Sequence, residues 1–78
     1  MSKESEVSVS IRQSMQAYFK DLDGEAPQGV YDMVLHCVEK PLLECVMAYA
    51  KGNQSKAAEI LGLNRNTLRK KLQQHNIQ

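Results

Sequence analysis

Apolar side chains recur with a helical period along most of this chain. Ile11, Met15, Phe19 and Leu22 fall at i, i+4, i+8 and i+11, with Tyr18 beside them. That is one face of a helix from about Val9 to Leu22. Asp23-Gly24 closes it, the glycine suiting the left-handed position past a helix end. Residues 23–29, DGEAPQG, read as a loop. A second helix is predicted from about Val30 to Ala50, where 15 of 21 residues are apolar. That is too many for one exposed face and calls for contact on several sides. Pro41 should bend this helix, since it lacks an N–H and crowds the preceding turn. Gly52 suits a helix end and Asn53 an N-cap. A short third helix then runs from Gln54 to Leu61. Gly62 stops it, Leu63 packs inward, and Asn64 caps a fourth helix from Arg65 to about Gln74. Residues 1–8 read as a flexible polar tail, and His75 to Gln78 as frayed apart from Ile77.

The fold class expected is therefore all-α, with four helices per chain. A domain of 78 residues supplies only ~3–5 kcal/mol from a single core. Disulfides do not make up the difference: Cys37 and Cys45 lie eight apart in one helix, ~12 Å along its axis. No paired Cys/His spacing of the zinc-binding kind occurs. A second copy of the chain is the simplest cover for the apolar second helix, giving an intertwined homodimer. Residues 9–50 then form the dimerisation helices, and 51–78 a separate C-terminal unit. The first ten residues contain no apolar signal core, and no run approaches the ~20 apolar residues of a membrane span. Free cysteines in such a chain suggest a cytoplasmic setting.

The net charge of +1 hides a segregation. Residues 1–50 hold four basic and eight acidic side chains, a net of −4. Residues 51–78 hold six basic (Lys51, Lys56, Arg65, Arg69, Lys70, Lys71) against Glu59 alone, a net of +5. An acidic body with a basic end points that end at a polyanion.

The basic end also carries the requirements of a helix-turn-helix. Ala57 and Ala58 are small enough for a close helix crossing, Gly62 tolerates positive φ in the turn, and Leu63 plugs the junction. Leu68 and Leu72 face inward. At 100° per residue, Asn66, Lys70 and Gln73 then fall opposite, with Thr67 adjacent and Arg65 and Arg69 flanking the apolar stripe. These are side chains suited to base edges and phosphates, on a helix of the kind a major groove admits. The first turn of the third helix, with Asn53 and Ser55, can add phosphate contacts.

Val38 to Leu43 (VEKPLL), Tyr49 to Gln54 (YAKGNQ), Lys56-Ala57-Ala58 and Leu63 to Leu72 (LNRNTLRKKL) resemble the bacterial factor-for-inversion-stimulation (Fis) family. The similarity runs ungapped from about Ile11 to the C-terminus. It implies a homodimer whose first two helices intertwine, with a helix-turn-helix at each end. The family's DNA contacts match Asn53, Ser55, Asn64, Arg65, Thr67, Arg69, Lys70 and Lys71, with Arg65 the main base reader and Asn64 checking the next positions. The resemblance further implies recognition helices closer together than successive major grooves, so that the DNA bends and its central minor groove narrows. Specificity then comes partly from deformability of the uncontacted centre. A nucleoid-associated role in transcription regulation follows, with Gly52 and Gln54 matching the turn that touches RNA polymerase. Asn66 stands where glycine is common, and Ser55 where threonine is. Family members carry a longer N-terminus forming a β-hairpin arm that stimulates DNA invertases. Met1–Ser10 is too short to rebuild it, so the resemblance does not carry that activity here.

A second reading uses the same module as the dimerising, DNA-tethering end of an enhancer-binding activator. A chain starting at a methionine with no upstream domain is expected instead to act alone. An enzyme is not expected, because no phosphate loop, metal set or nucleophile with a base occurs; no cofactor and no small-molecule substrate are implied. His36 reads as a surface histidine, Cys37 and Cys45 as buried apolar residues, Met33 and Met47 as core filler, and Tyr18, Tyr31 and Tyr49 as packing with wet hydroxyls.

Overall fold

A computed structural model describes residues 4–77 of the chain. These form four α-helices with no strand among the described residues: α1 (Glu6–Lys20), α2 (Val30–Tyr49), α3 (Gln54–Leu61) and α4 (Arg65–Gln74). The last two coincide with the sequence-based expectation. The first begins earlier, because Ser5 caps it: its hydroxyl oxygen accepts from the Ser8 backbone N–H at 3.1 Å. Glu6 in the first turn complements the helix dipole. The flexible tail expected over residues 1–8 is thus contradicted at Glu6–Ser8, which are helical, while residues 1–3 lie outside the described residues. The end of α1 also comes earlier than Leu22, with Asp21 as its C-cap.

The chain divides after Val30 into two units. In the N-terminal one, Ile11, Met15, Tyr18 and Leu22 are half-buried, and no residue of α1 is fully buried. Phe19 is exposed, its ring edge-on to Tyr18 at a centroid distance of 5.5 Å.

The core lies in the C-terminal unit. It comprises Leu43, Met47 and Ala50, Ala57 and Ala58 of α3, and Leu68 and Leu72 of α4, with Val46, Leu61 and Ile77 packed against it. Leu43, Met47 and Ala50 repeat at i, i+4 and i+7, so only the second half of α2 presents a stripe to the helix-turn-helix. Leu63 is half-buried. The remaining apolar surface of α2 is open on the single chain: Tyr31 is 76% and Tyr49 74% exposed, and Met33, Leu35 and Leu42 are also exposed. Met33 is therefore not core filler here. Nor are Cys37 and Cys45 buried; both are exposed.

Three helices end the same way. The backbone N–H groups of Gly52, Leu63 and Ile77 donate to the carbonyls of Met47, Ala58 and Leu72 at 3.0, 2.9 and 2.8 Å. Those of Lys51, Gly62 and Asn76 donate to Ala48, Glu59 and Gln73 at 3.1, 3.2 and 3.1 Å. This is the paired 6→1 and 5→2 pattern closed by a left-handed residue. That residue is Gly62 at φ +74° after α3, but Lys51 at +55° after α2 and Asn76 at +56° after α4. The left-handed position expected of Gly52 is thus taken first by Lys51, since α2 stops at Tyr49 rather than Ala50. The expected fraying of His75 to Gln78 is contradicted over 75–77, which this cap organises.

Candidate nucleic-acid interface

Two asparagines start the two short helices. Asn53 takes the extended backbone of an N-cap, and its Oδ1 accepts from the Lys56 N–H at 3.1 Å. Asn64 does the same for α4, accepting from the Asn66 N–H at 2.8 Å. Each carbonyl oxygen is therefore engaged by its own helix. Each amide nitrogen keeps two donors that suit a phosphate or a base acceptor.

The buried stripe of α4 fixes what the helix presents. Leu68 and Leu72 are fully buried, so Arg65, Asn66, Thr67, Arg69 and Lys70 lie exposed on the surface of the unit. Asn53, Ser55 and Asn64 are exposed as well, as are Lys51 and Lys56. Seven of the eight DNA-contact residues expected from sequence thus stand free at the surface. Of the two residues matched to polymerase contact, Gly52 is exposed in the turn and Gln54 is half-buried at the start of α3.

Lys71 differs from the other seven. It is half-buried, and its Nζ donates to Glu39 Oε2 at 2.6 Å, tying the last turn of α4 to the middle of α2. The other carboxylate oxygen, Oε1, lies 3.0 Å from His75 Nε2. Both hydrogen bonds hold the Glu39 carboxyl below its usual range, Lys71 contributing most and partial burial opposing it. The His75 ring is 4.4 Å from that of His36, and its Nδ1 is buried without a partner among the described residues.

Sequence reasoning placed Lys71 among the DNA contacts but missed Glu39 and His75. Their signal was present. His75 continues the Leu68, Leu72 stripe at i+7, and it is 4% exposed rather than frayed. Glu39 and His36 extend the Leu43 stripe backward by four and seven residues. Polar residues at the ends of two facing apolar stripes are placed to meet.

The comparisons with known proteins fit this geometry. Residues 35–75 match the model of the bacterial regulatory protein, Fis family, a span running from α2 to the end of α4. A Fis-like DNA-binding protein of Neisseria meningitidis serogroup A is 67% identical over 72 residues, covering 92% of this chain and 91% of its own length. One from Ralstonia nicotianae is 64% identical over 67 residues, covering 86% and 87%. The DNA-binding protein Fis of Actinobacillus succinogenes is 50% identical over 66 residues, covering 85% of this chain and 67% of the relative. This chain belongs to the Fis family of bacterial regulatory proteins.

Proposed function

We propose that this chain is a homodimeric, sequence-tolerant DNA-binding and DNA-bending protein, acting as a nucleoid-associated architectural factor and transcription regulator in the cytoplasm. The observation that carries this reading is the exposed polar face of α4. A ten-residue helix held from behind by Leu68 and Leu72 offers Arg65, Asn66, Thr67, Arg69 and Lys70 outward. In this reading α4 enters the major groove, Arg65 reads a base edge and Asn64 checks its neighbours. Asn53, Ser55, Thr67, Arg69, Lys70 and Lys71 hold the phosphates, and the first turn of α3 adds backbone N–H groups. Relatives whose names describe DNA-binding proteins support the same assignment.

The second copy is argued from α2, whose apolar side chains are too numerous and too exposed on one chain to be left in water. Two recognition helices set by such a dimer bend DNA between them, and the bent centre contributes specificity without contact. Gly52 and Gln54 are the residues proposed to touch RNA polymerase. The reading involves no catalytic step and no cofactor.

Replacing Arg65 tests the recognition assignment. Arg65→Ala should cost about 1–3 kcal/mol of binding to a specific duplex while leaving weak, salt-sensitive binding to any sequence. Fluorescence anisotropy with specific and random duplexes reads both, and circular dichroism checks the fold. Specific binding at wild-type strength would remove Arg65 from the base-reading role.

A further inference from the structure

The ion pair between α2 and α4 carries an inference that rests on the DNA-binding reading. Of the six cations from Lys51 to Lys71, five are exposed, and Lys71 alone is paired with a carboxylate among the described residues. Its place on the helix explains the difference. At 100° per residue, Lys70 lies about 160° around α4 from the buried Leu68, and Lys71 about 60°. Lys71 thus leaves the helix beside the buried stripe, and its ammonium reaches Glu39 Oε2 at 2.6 Å. Glu39 is anchored independently of it: the other oxygen, Oε1, lies 3.0 Å from Nε2 of His75, whose side chain is wholly buried. Lys71 is anchored by Glu39 alone. Its side chain is 31% exposed, in a cleft that it lines with Asp32, His36, Glu39 and Gln74, and its four-carbon stem rotates freely.

We propose that Glu39 competes with DNA for Lys71 and so holds down the affinity of this protein for every sequence: to reach a phosphate, Lys71 must first leave Glu39. A phosphate and a carboxylate offer an ammonium the same kind of charge-assisted hydrogen bond. The exchange therefore gains little. The new bond is offset by the old one, and a half-buried carboxylate is left without its cation. Arg65, Arg69 and Lys70 break no ion pair among the described residues when they meet DNA. Phosphates are the same in every sequence, so the effect falls on specific and random duplexes alike. Glu39 itself touches neither base nor phosphate. It is a positioning residue, acting through Lys71.

The test is a double-mutant cycle on the full chain: wild type, Glu39→Gln, Lys71→Met and the double variant, by anisotropy at one salt concentration on a specific and a random duplex. Circular dichroism checks each fold. Glu39→Gln should bind both duplexes about threefold or more tighter, the scale of a modest ion pair released. In the Lys71→Met background the same change should alter affinity by less than about twofold. Equal tightening in both backgrounds would assign the effect to net charge and overturn the competition. Unchanged or weaker binding by Glu39→Gln would overturn it too, in each case with DNA binding intact. Absence of wild-type binding even at low salt would overturn the DNA reading and the competition with it. Nitrogen NMR of the lysine ammonium groups gives a result that needs no variant to fold. Added duplex should shift the wild-type Lys71 Nζ resonance as phosphate replaces carboxylate, and an unchanged resonance would contradict the proposal.

Discussion

Glu39 ties the end of α4 to the middle of α2 through one carboxylate. Its carboxyl is held below the usual value of about 4.5 by the hydrogen bonds from Lys71 and His75. In the unfolded chain those bonds are gone, so the unfolded state binds a proton at a higher pH than the folded one. The sign follows: the contribution of Glu39 is fully present above the ordinary carboxylate value and is lost as the pH falls below it toward the folded value. Thermal melts between pH 3 and pH 7 should show an acid limb in which wild type loses stability. Glu39→Gln should be less stable at pH 7 and should lose less on acidification. An identical acid limb in both proteins would place the sensitive carboxylates elsewhere. Surface ion pairs rarely matter this much, but here the partners are half-buried and one ring is fully buried.

Helix ends carry most of the local information in this chain. Gly62 holds φ +74°, and a Cβ added there would meet nothing within 4 Å, so its requirement is conformational rather than steric. Gly62→Ala should therefore cost about 1 kcal/mol, the left-handed penalty of an L-residue. Lys51 occupies the equivalent position after α2 at φ +55°, and Lys51→Gly should be stabilising by a similar amount. Denaturant unfolding of the two variants should shift the midpoint in opposite directions, and a shared direction would mean that lost contacts outweigh backbone preference. The same local signals explain what could be read in advance. Asn53, Gly62 and Asn64 are strong, short-range markers, and α3 and α4 were legible to the residue. Ser5 lies in a polar stretch with no apolar period behind it, so the start of α1 was hidden. The cap at Asn76 was missed because asparagine marks loops as readily as it closes helices. His75 looked like a polar tail residue although it continues the Leu68, Leu72 stripe, and its partner Glu39 is 36 residues away in the sequence. The pair comes into view only when the stripes of α2 and α4 are read together.

For the whole molecule, the two halves of the chain have opposite needs. The C-terminal segment from residue 51, net +5, closes a small core together with Leu43, Met47 and Ala50 of α2 and keeps its cations exposed except Lys71, which Glu39 holds. The N-terminal half, net −4, exposes apolar side chains on α2 that a monomer has no reason to keep in water. A proposed dimer satisfies both, since it covers those side chains and sets two basic recognition helices at a fixed separation. Family membership was legible because the matching stretches carry the turn, the caps and the polar face at once. The exposed polar residues of α4 were legible for the same reason, as the stripe of Leu68 and Leu72 decides what the other side presents. The most direct test of the account is gel-shift binding to a duplex with an AT-rich centre and two G/C-flanked half-sites. It should be run at several salt concentrations beside a circular-permutation bend assay. One dimer per duplex, affinity falling steeply with salt and a bend centred between the half-sites are predicted. Binding absent even at low salt would contradict the account, and binding without a bend would reduce the chain to a tethering module.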